Sequence, residues 1–194
     1  LTKLDAQVQE FVRVLESHAR YVIVSGYVAI LFGRSRGTED VDVLIERMDA
    51  KRFHDLYLAL TERGYHFLNP EDEQGLQGML SEGLAIRAAP HDRIIPNFEM
   101  KFVKDDFDRY ALKNRVEVDV DQMRVFISPL ELQIPYKIWL GSDKDIEDVC
   151  NRWAQGRFDA GVFKSDDWRF STKVESQYLA QLYATIGIRA SDAA

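Results

Sequence analysis

The chain has 194 residues and a formal net charge of −7, and 46% of its residues are hydrophobic. This composition is typical of a soluble globular protein, and the length suits one domain with an extension. An acidic chain lacks the basic surface that unspecific nucleic-acid binding requires, so nucleic acid is not an expected partner. The single cysteine, Cys150, excludes an internal disulfide. With no apolar run long enough to cross a membrane and no signal peptide, the sequence predicts a cytoplasmic protein.

The first third of the sequence predicts alternating helices and strands. Helical spacing of apolar residues marks the amino terminus, and a short apolar helix ends at Gly33. Asp49 opens a later helix that Gly64 closes. The predicted helices are 4–19, 27–32 and 49–63, and the predicted strands are 21–24, 40–46 and 65–68.

The pattern is less regular after residue 69. Residues 70–92 contain three glycines and predict a helix followed by a loop. Residues 97–103 alternate as a strand, 105–112 suit one or two helical turns, and 115–127 predict a hairpin that turns near Asp121 and Gln122. Helices are predicted from Ser128, from Asp143 and over 166–186.

This order of elements predicts an α/β (α+β) fold. A small mixed β-sheet would be flanked by helices, and a helical part would follow it. We place a first domain at residues 1–150 and a helical C-terminal extension, packed on it, at 151–194.

Two aspartates mark the predicted strand 40–46. Asp40 and Asp42 are two residues apart, so both side chains point to the same face of the strand. Adjacent carboxylates repel each other unless a cation lies between them. Ser25 and Gly26 form a turn that opens a helix, which is a place to hold phosphate. A metal and a phosphate group held close together indicate chemistry on a nucleoside triphosphate.

The motif S-G followed by R-x-T-x-D-x-D resembles the nucleotidyltransferase superfamily, which has the DNA polymerase β-like fold. The similarity is greatest to small prokaryotic members, the minimal nucleotidyltransferases and the AbiEii-like proteins of toxin–antitoxin systems. The matching positions are Ser25, Gly26, Gly33, Arg36, Thr38, Asp40 and Asp42. A later stretch of similar type contains Ser128, Pro129, Glu131, Lys137, Lys144, Asp145 and Asp148.

The resemblance implies a two-metal Mg²⁺ site and a bound triphosphate. Asp40 and Asp42, with a third carboxylate from a later strand, would be catalytic and would bind the metal ions. The residues expected to bind the nucleotide are Ser25, Gly26, Arg36, Thr38 and Lys137. Arg36 suits this role because a guanidinium binds phosphate through two hydrogen bonds.

The sequence leaves three candidates for the third acid. Glu99 lies on the polar face of the alternating strand 97–103, whereas Glu117 and Asp119 alternate with apolar residues in a hairpin that looks exposed. We favour Glu99, which would bind the catalytic metal or deprotonate the acceptor hydroxyl.

Two functions fit these residues. The first is an enzyme that transfers a nucleoside monophosphate from a triphosphate to a hydroxyl acceptor, within a toxin–antitoxin pair or as a homodimer. The second is a catalytically silent nucleotide-binding or partner-binding module. Two departures from the family pattern favour the second function: Ser25 replaces a glycine, and glutamate replaces aspartate as the third acid. An Asp-x-Asp pair alone is also common on a solvated strand face.

Overall fold

The computed structural model describes residues 2–31, 38–120, 123–129 and 132. Within them, the helices are α1 (Lys3–Glu16), α2 (Ser25–Leu31), α3 (Ala50–Glu62), α4 (Glu73–Ser81) and α5 (Asp106–Lys113). The strands are β1 (Tyr21–Ile23), β2 (Asp40–Ile45), β3 (Tyr65–Phe67), β4 (Ile86–Pro90), β5 (Asn97–Phe102), β6 (Val116–Val120) and β7 (Met123–Ile127). No helix in this part of the chain has both the length and the apolar character needed to cross a bilayer.

The seven strands form one mixed sheet in the order β3-β4-β5-β2-β1-β7-β6. At its centre, β2 runs parallel to β5 and antiparallel to β1. The outer hairpin of β6 and β7 adds to the sheet through parallel pairing of β7 with β1. The predicted mixed sheet flanked by helices is therefore confirmed.

One face of the central strands forms the core with α1. Val41, Val43, Phe98 and Met100 are at most 1% exposed. Phe11 of α1 stacks on Phe98 with 3.8 Å between ring centroids, so the helix lies directly against β5. Because side chains alternate along a strand, Asp40, Asp42 and Glu99 lie on the opposite face.

The prediction of a loop before Asp92 was wrong, because residues 86–90 form β4. This strand pairs with β3 on one side and β5 on the other. Two of its five residues are alanine, which has little intrinsic preference for strands. Ala88 and Ala89 are fully buried, so packing between two partner strands decides the conformation here.

Some predicted features fall outside the described residues. They include the hairpin turn at 121–122, the domain boundary at 150 and the extension 151–194. The chain divides after Pro129, and all of the helices and strands named here precede that point.

Candidate active site

The two aspartates of the sequence motif lie at the beginning of β2, next to the turn that follows β1. The backbone N–H of Val24 donates to the carbonyl oxygen of Asp42 at 3.0 Å, which fixes this turn beside the aspartates. The Ser25 side chain also lies near the Asp42 carboxyl, whose pKa it lowers. The structure therefore brings Ser25, Gly26, Asp40 and Asp42 together, with Asp40 and Asp42 partly accessible on the strand face that points away from the core.

Ser25 adopts an unusual backbone conformation. Its φ of 61° lies in the left-handed region, which costs a residue with a Cβ atom roughly 1–2 kcal/mol. This is the position at which the sequence departs from the glycine of the family motif. The backbone therefore keeps the turn conformation that glycine favours, although serine occupies the position.

The electrostatic surroundings of Asp42 disfavour its charged form. Burial raises the pKa of this carboxyl to about 6, and the nearby charges of Asp40 and Glu99 add to the effect. Lys101 and the Ser25 hydroxyl oppose the shift without cancelling it. A bound cation would relieve this repulsion.

Glu99 is the only one of the three candidate third acids that lies next to the aspartates. In the parallel pairing of β2 and β5, Glu99 is the direct partner of Asp42. Glu117 and Asp119 belong to β6, an edge strand separated from β2 by β1 and β7. The geometry therefore favours Glu99 as the third carboxylate, as the sequence analysis did.

Two basic side chains hold the Glu99 carboxylate. Arg87 donates from Nη2 and Nε to Oε2 at 2.6 and 2.9 Å, and Lys101 Nζ lies 2.6 Å from Oε1. Burial raises the pKa of Glu99, but the hydrogen bonds and charges of Lys101 and Arg87 outweigh burial and lower its pKa overall. Glu99 is therefore ionised at neutral pH. Sequence reasoning missed Arg87, because its strand was read as a loop.

Thr38 and Asn97 organise the beginning of β2. The Thr38 hydroxyl lies 2.7 Å from the Asp40 carbonyl oxygen, to which it donates. Asn97, the register partner of Asp40, donates from its backbone N–H and its Nδ2 to the carbonyl oxygen of Glu39. Thr38 thus has a structural role at the beginning of the strand, in addition to the nucleotide-binding role that the sequence predicts. Arg36 and Lys137 lie outside the described residues, so their roles stay predictions.

Only part of the donor set in this site suits a divalent cation. Asp40 and Asp42 offer the hard oxygen ligands that Mg²⁺ prefers, and the raised pKa of Asp42 reflects its burial together with the nearby negative charges of Asp40 and Glu99. Both Glu99 oxygens are already paired with cations, and among the described residues no three His, Cys, Asp or Glu side chains gather into a metal-binding group. The aspartate pair suits a metal ion. Glu99 is not available as a third metal ligand in this arrangement, because both of its oxygens are paired with basic side chains.

Three solved structures have a similar fold. An antigenic nucleotidyltransferase-like protein from Paracoccidioides brasiliensis superimposes with a TM-score of 0.66 at 17% identity, covering 98% of this chain and 91% of that one. This chain has the nucleotidyltransferase fold. The resistance factor ANT(2'')-Ia, in complex with adenylyl-2''-tobramycin, gives a TM-score of 0.52 at 15% identity, with 92% and 97% of the two chains covered. Its solution structure gives 0.51 at 14% identity, with 95% of each chain covered.

Identities this low support the nucleotidyltransferase fold and leave the activity to be argued from the site. The sequence matches no protein-family profile, and no curated protein is significantly similar to it.

Proposed function

We propose that this chain is a Mg²⁺-dependent nucleotidyltransferase that transfers a nucleoside monophosphate from a triphosphate to a hydroxyl acceptor. The observation that carries the proposal is the Asp40–Asp42 pair beside the Ser25–Gly26 turn, with Glu99 as the register partner of Asp42, on the open face of the central strands. The fold supports the proposal, because ANT(2'')-Ia, which has a similar fold, is known in complex with adenylyl-2''-tobramycin.

In the proposed reaction, the acceptor hydroxyl oxygen forms a bond to the α-phosphorus of the triphosphate. The bond between the α-phosphorus and the bridging oxygen breaks, and pyrophosphate leaves with the electron pair. Mg²⁺, when bound, would polarise the phosphate oxygens and neutralise developing charge. The hydroxyl proton passes to water, or to Glu99 once one of its oxygens is released from Arg87 or Lys101.

The chain's own residues would orient the reactants. Asp40 and Asp42 would hold the metal ion, and the backbone of Ser25 and Gly26 would contact the terminal phosphates. Arg36 and Lys137 are proposed as further phosphate ligands on the basis of the sequence. An AbiEii-like subgroup, a toxin or antitoxin partner, a homodimer, a prokaryotic origin and a cytoplasmic location are likewise proposals that rest on the sequence alone.

A catalytically silent module is the second candidate. Two observations favour it: the backbone strain at Ser25 and the pairing of both Glu99 oxygens with cations. Binding of a nonhydrolysable triphosphate with Mg²⁺, without any transfer, would support this reading.

The decisive experiment compares the wild type with Asp42→Asn. Wild-type protein is incubated with Mg²⁺, each of the four common triphosphates and a mixture of hydroxyl acceptors that includes tobramycin, and pyrophosphate release is measured. Loss of the Asp42 ligand should remove several kcal/mol of transition-state stabilisation, so we expect the rate to fall at least about 100-fold. The Asp42→Asn variant should still fold, because burial disfavours the negative charge that this substitution removes.

Asp106→Asn is the matched control. Asp106 is fully exposed at the beginning of α5 and pairs only locally with Arg109, so its loss should leave the rate unchanged. Equal rates for wild type and Asp42→Asn would contradict the proposed site.

A further inference from the structure

The candidate site has two sides, separated by β2. On one side, the Ser25–Gly26 turn follows β1. On the other side, β5 and then β4 extend the sheet, so that Asp42, Glu99 and Arg87 are direct partners across three adjacent strands. With neighbouring strands about 5 Å apart, Arg87 lies within two strand spacings of Asp42. Lys101 follows Glu99 on the same face of β5.

The β5–β4 side carries an excess of positive charge. Arg87 and Lys101 share one carboxylate, so the cluster has a net charge of +1. The basic side chains are 49% and 39% exposed, whereas the Glu99 side chain is 10% exposed. Arg87 directs Nε and Nη2 to a single oxygen, and its Nη1 donates to no residue in the described part of the chain. Both cations therefore retain donors that face solvent.

In-line displacement determines which side the acceptor occupies. The attacking and leaving oxygens lie on opposite sides of the α-phosphorus. If the leaving pyrophosphate lies at the Ser25–Gly26 turn, the acceptor must approach over β5 and β4. This step rests on the proposed function, because it takes the turn as the triphosphate site.

We propose that the acceptor carries an anionic group, a phosphate or a carboxylate, near its reacting hydroxyl, and that Arg87 and Lys101 bind this group. A guanidinium and an ammonium on one open strand face suit such a group, because charge-assisted hydrogen bonds to oxyanions are strong and directional. The same two charges would repel a polycationic acceptor.

Inorganic phosphate is a direct probe of this surface. The full-length protein is labelled with ¹⁵N-arginine, and the Nε–H resonance of Arg87 is assigned from its loss in Arg87→Gln. Phosphate is then titrated at constant ionic strength, with and without Mg²⁺ and a nonhydrolysable triphosphate that fills the turn side. We expect a saturable shift of the Arg87 signal under both conditions, and about tenfold weaker binding in Lys101→Gln.

Arg109 provides the control. It is a half-exposed arginine paired with one carboxylate, as Arg87 is, but it belongs to α5. Its Nε–H signal should not shift, and Arg109→Gln should bind phosphate as the wild type does. An Arg87 signal that stays fixed, or that shifts only as much as that of Arg109, would overturn the proposal.

The outcome separates this inference from the proposed function. A saturable Arg87 shift in a protein that transfers no nucleotide would retain the anion site and reject the enzyme. Nucleotide transfer without an Arg87 shift would retain the enzyme and reject the anionic acceptor.

Discussion

At the scale of single residues, Ser25 has an unfavourable backbone conformation and a side chain that influences Asp42. Its φ of 61° is unfavourable for any residue with a side chain, whereas its hydroxyl favours the charged form of the nearby Asp42 carboxyl. The sequence identified Ser25 as the departure from a glycine-containing motif, but only the backbone angle shows that the strained conformation persists.

Two substitutions separate the strain from the contact. Ser25→Ala loses the hydroxyl and keeps the strain, whereas Ser25→Gly loses the hydroxyl and relieves the strain. We expect the glycine variant to be more stable than the alanine variant by about 1 kcal/mol, which chemical denaturation would measure. An alanine variant as stable as the glycine variant would show that residue 25 is not left-handed in solution.

The charge arrangement around Glu99 shows a limit of sequence reasoning at the same scale. Alternation along 97–103 was enough to place Glu99 on the polar face. It gave no sign that Arg87, twelve residues earlier, would be its partner. That contact depends on the register of two strands, and the alanine-rich β4 gives too weak a local signal to be recognised as a strand.

At the scale of elements, α1 and α2 are connected by one buried carboxylate. Asp5 completes a capping box with Thr2 at the beginning of α1 and accepts a 2.8 Å hydrogen bond from the Tyr27 hydroxyl of α2. Burial raises the pKa of Asp5, but the hydrogen bonds from Thr2 and Tyr27 outweigh burial and lower it overall. The helix that follows the Ser25–Gly26 turn is thus held in place by the amino terminus of the chain.

The Asp5 contact should make stability depend on pH. A lowered pKa in the folded state stabilises the protein above the unfolded pKa, near 4, and this contribution is lost as the pH falls through the folded pKa. We expect Asp5→Asn to cost about 1 kcal/mol at pH 7 and less than that at about pH 3, because the contribution of the Asp5 charge fades as the pH falls towards its lowered folded pKa. Urea unfolding at both pH values would test this expectation. A difference between the variants that stays constant with pH would mean that the Asp5 charge plays no part.

At the scale of the whole molecule, one face of the central strands forms the core and the opposite face carries the candidate site. Alternating apolar and polar residues in 40–46 and 97–103 were sufficient to predict both strands and the face on which their charged residues lie. Alternation does not say which strand lies beside β2; only the resemblance, through the choice of Glu99 as the third acid, implied the pairing of β2 with β5. This pairing alone brings Glu99 to Asp42 and Phe98 to Phe11 of α1.

Because the core and the candidate site lie on opposite faces of β5, we predict that a substitution in the core will alter stability without altering ligand binding. Phe98 and Glu99 are adjacent in sequence but face opposite sides of β5, and Phe98 is fully buried against α1. Phe98→Leu should lower the free energy of unfolding by roughly 1–2 kcal/mol through lost packing, as measured in urea. Below its melting temperature it should bind Mg²⁺ and a nonhydrolysable triphosphate with wild-type affinity in calorimetry.

Leu58→Ala, at a residue 41% exposed on α3, should change neither stability nor binding appreciably. A Phe98→Leu variant that is fully folded but binds the nucleotide much more weakly would show that the faces are coupled. In that case, packing of α1 against β5 would itself set the position of Glu99, and the aspartate pair would depend on the core for its third carboxylate.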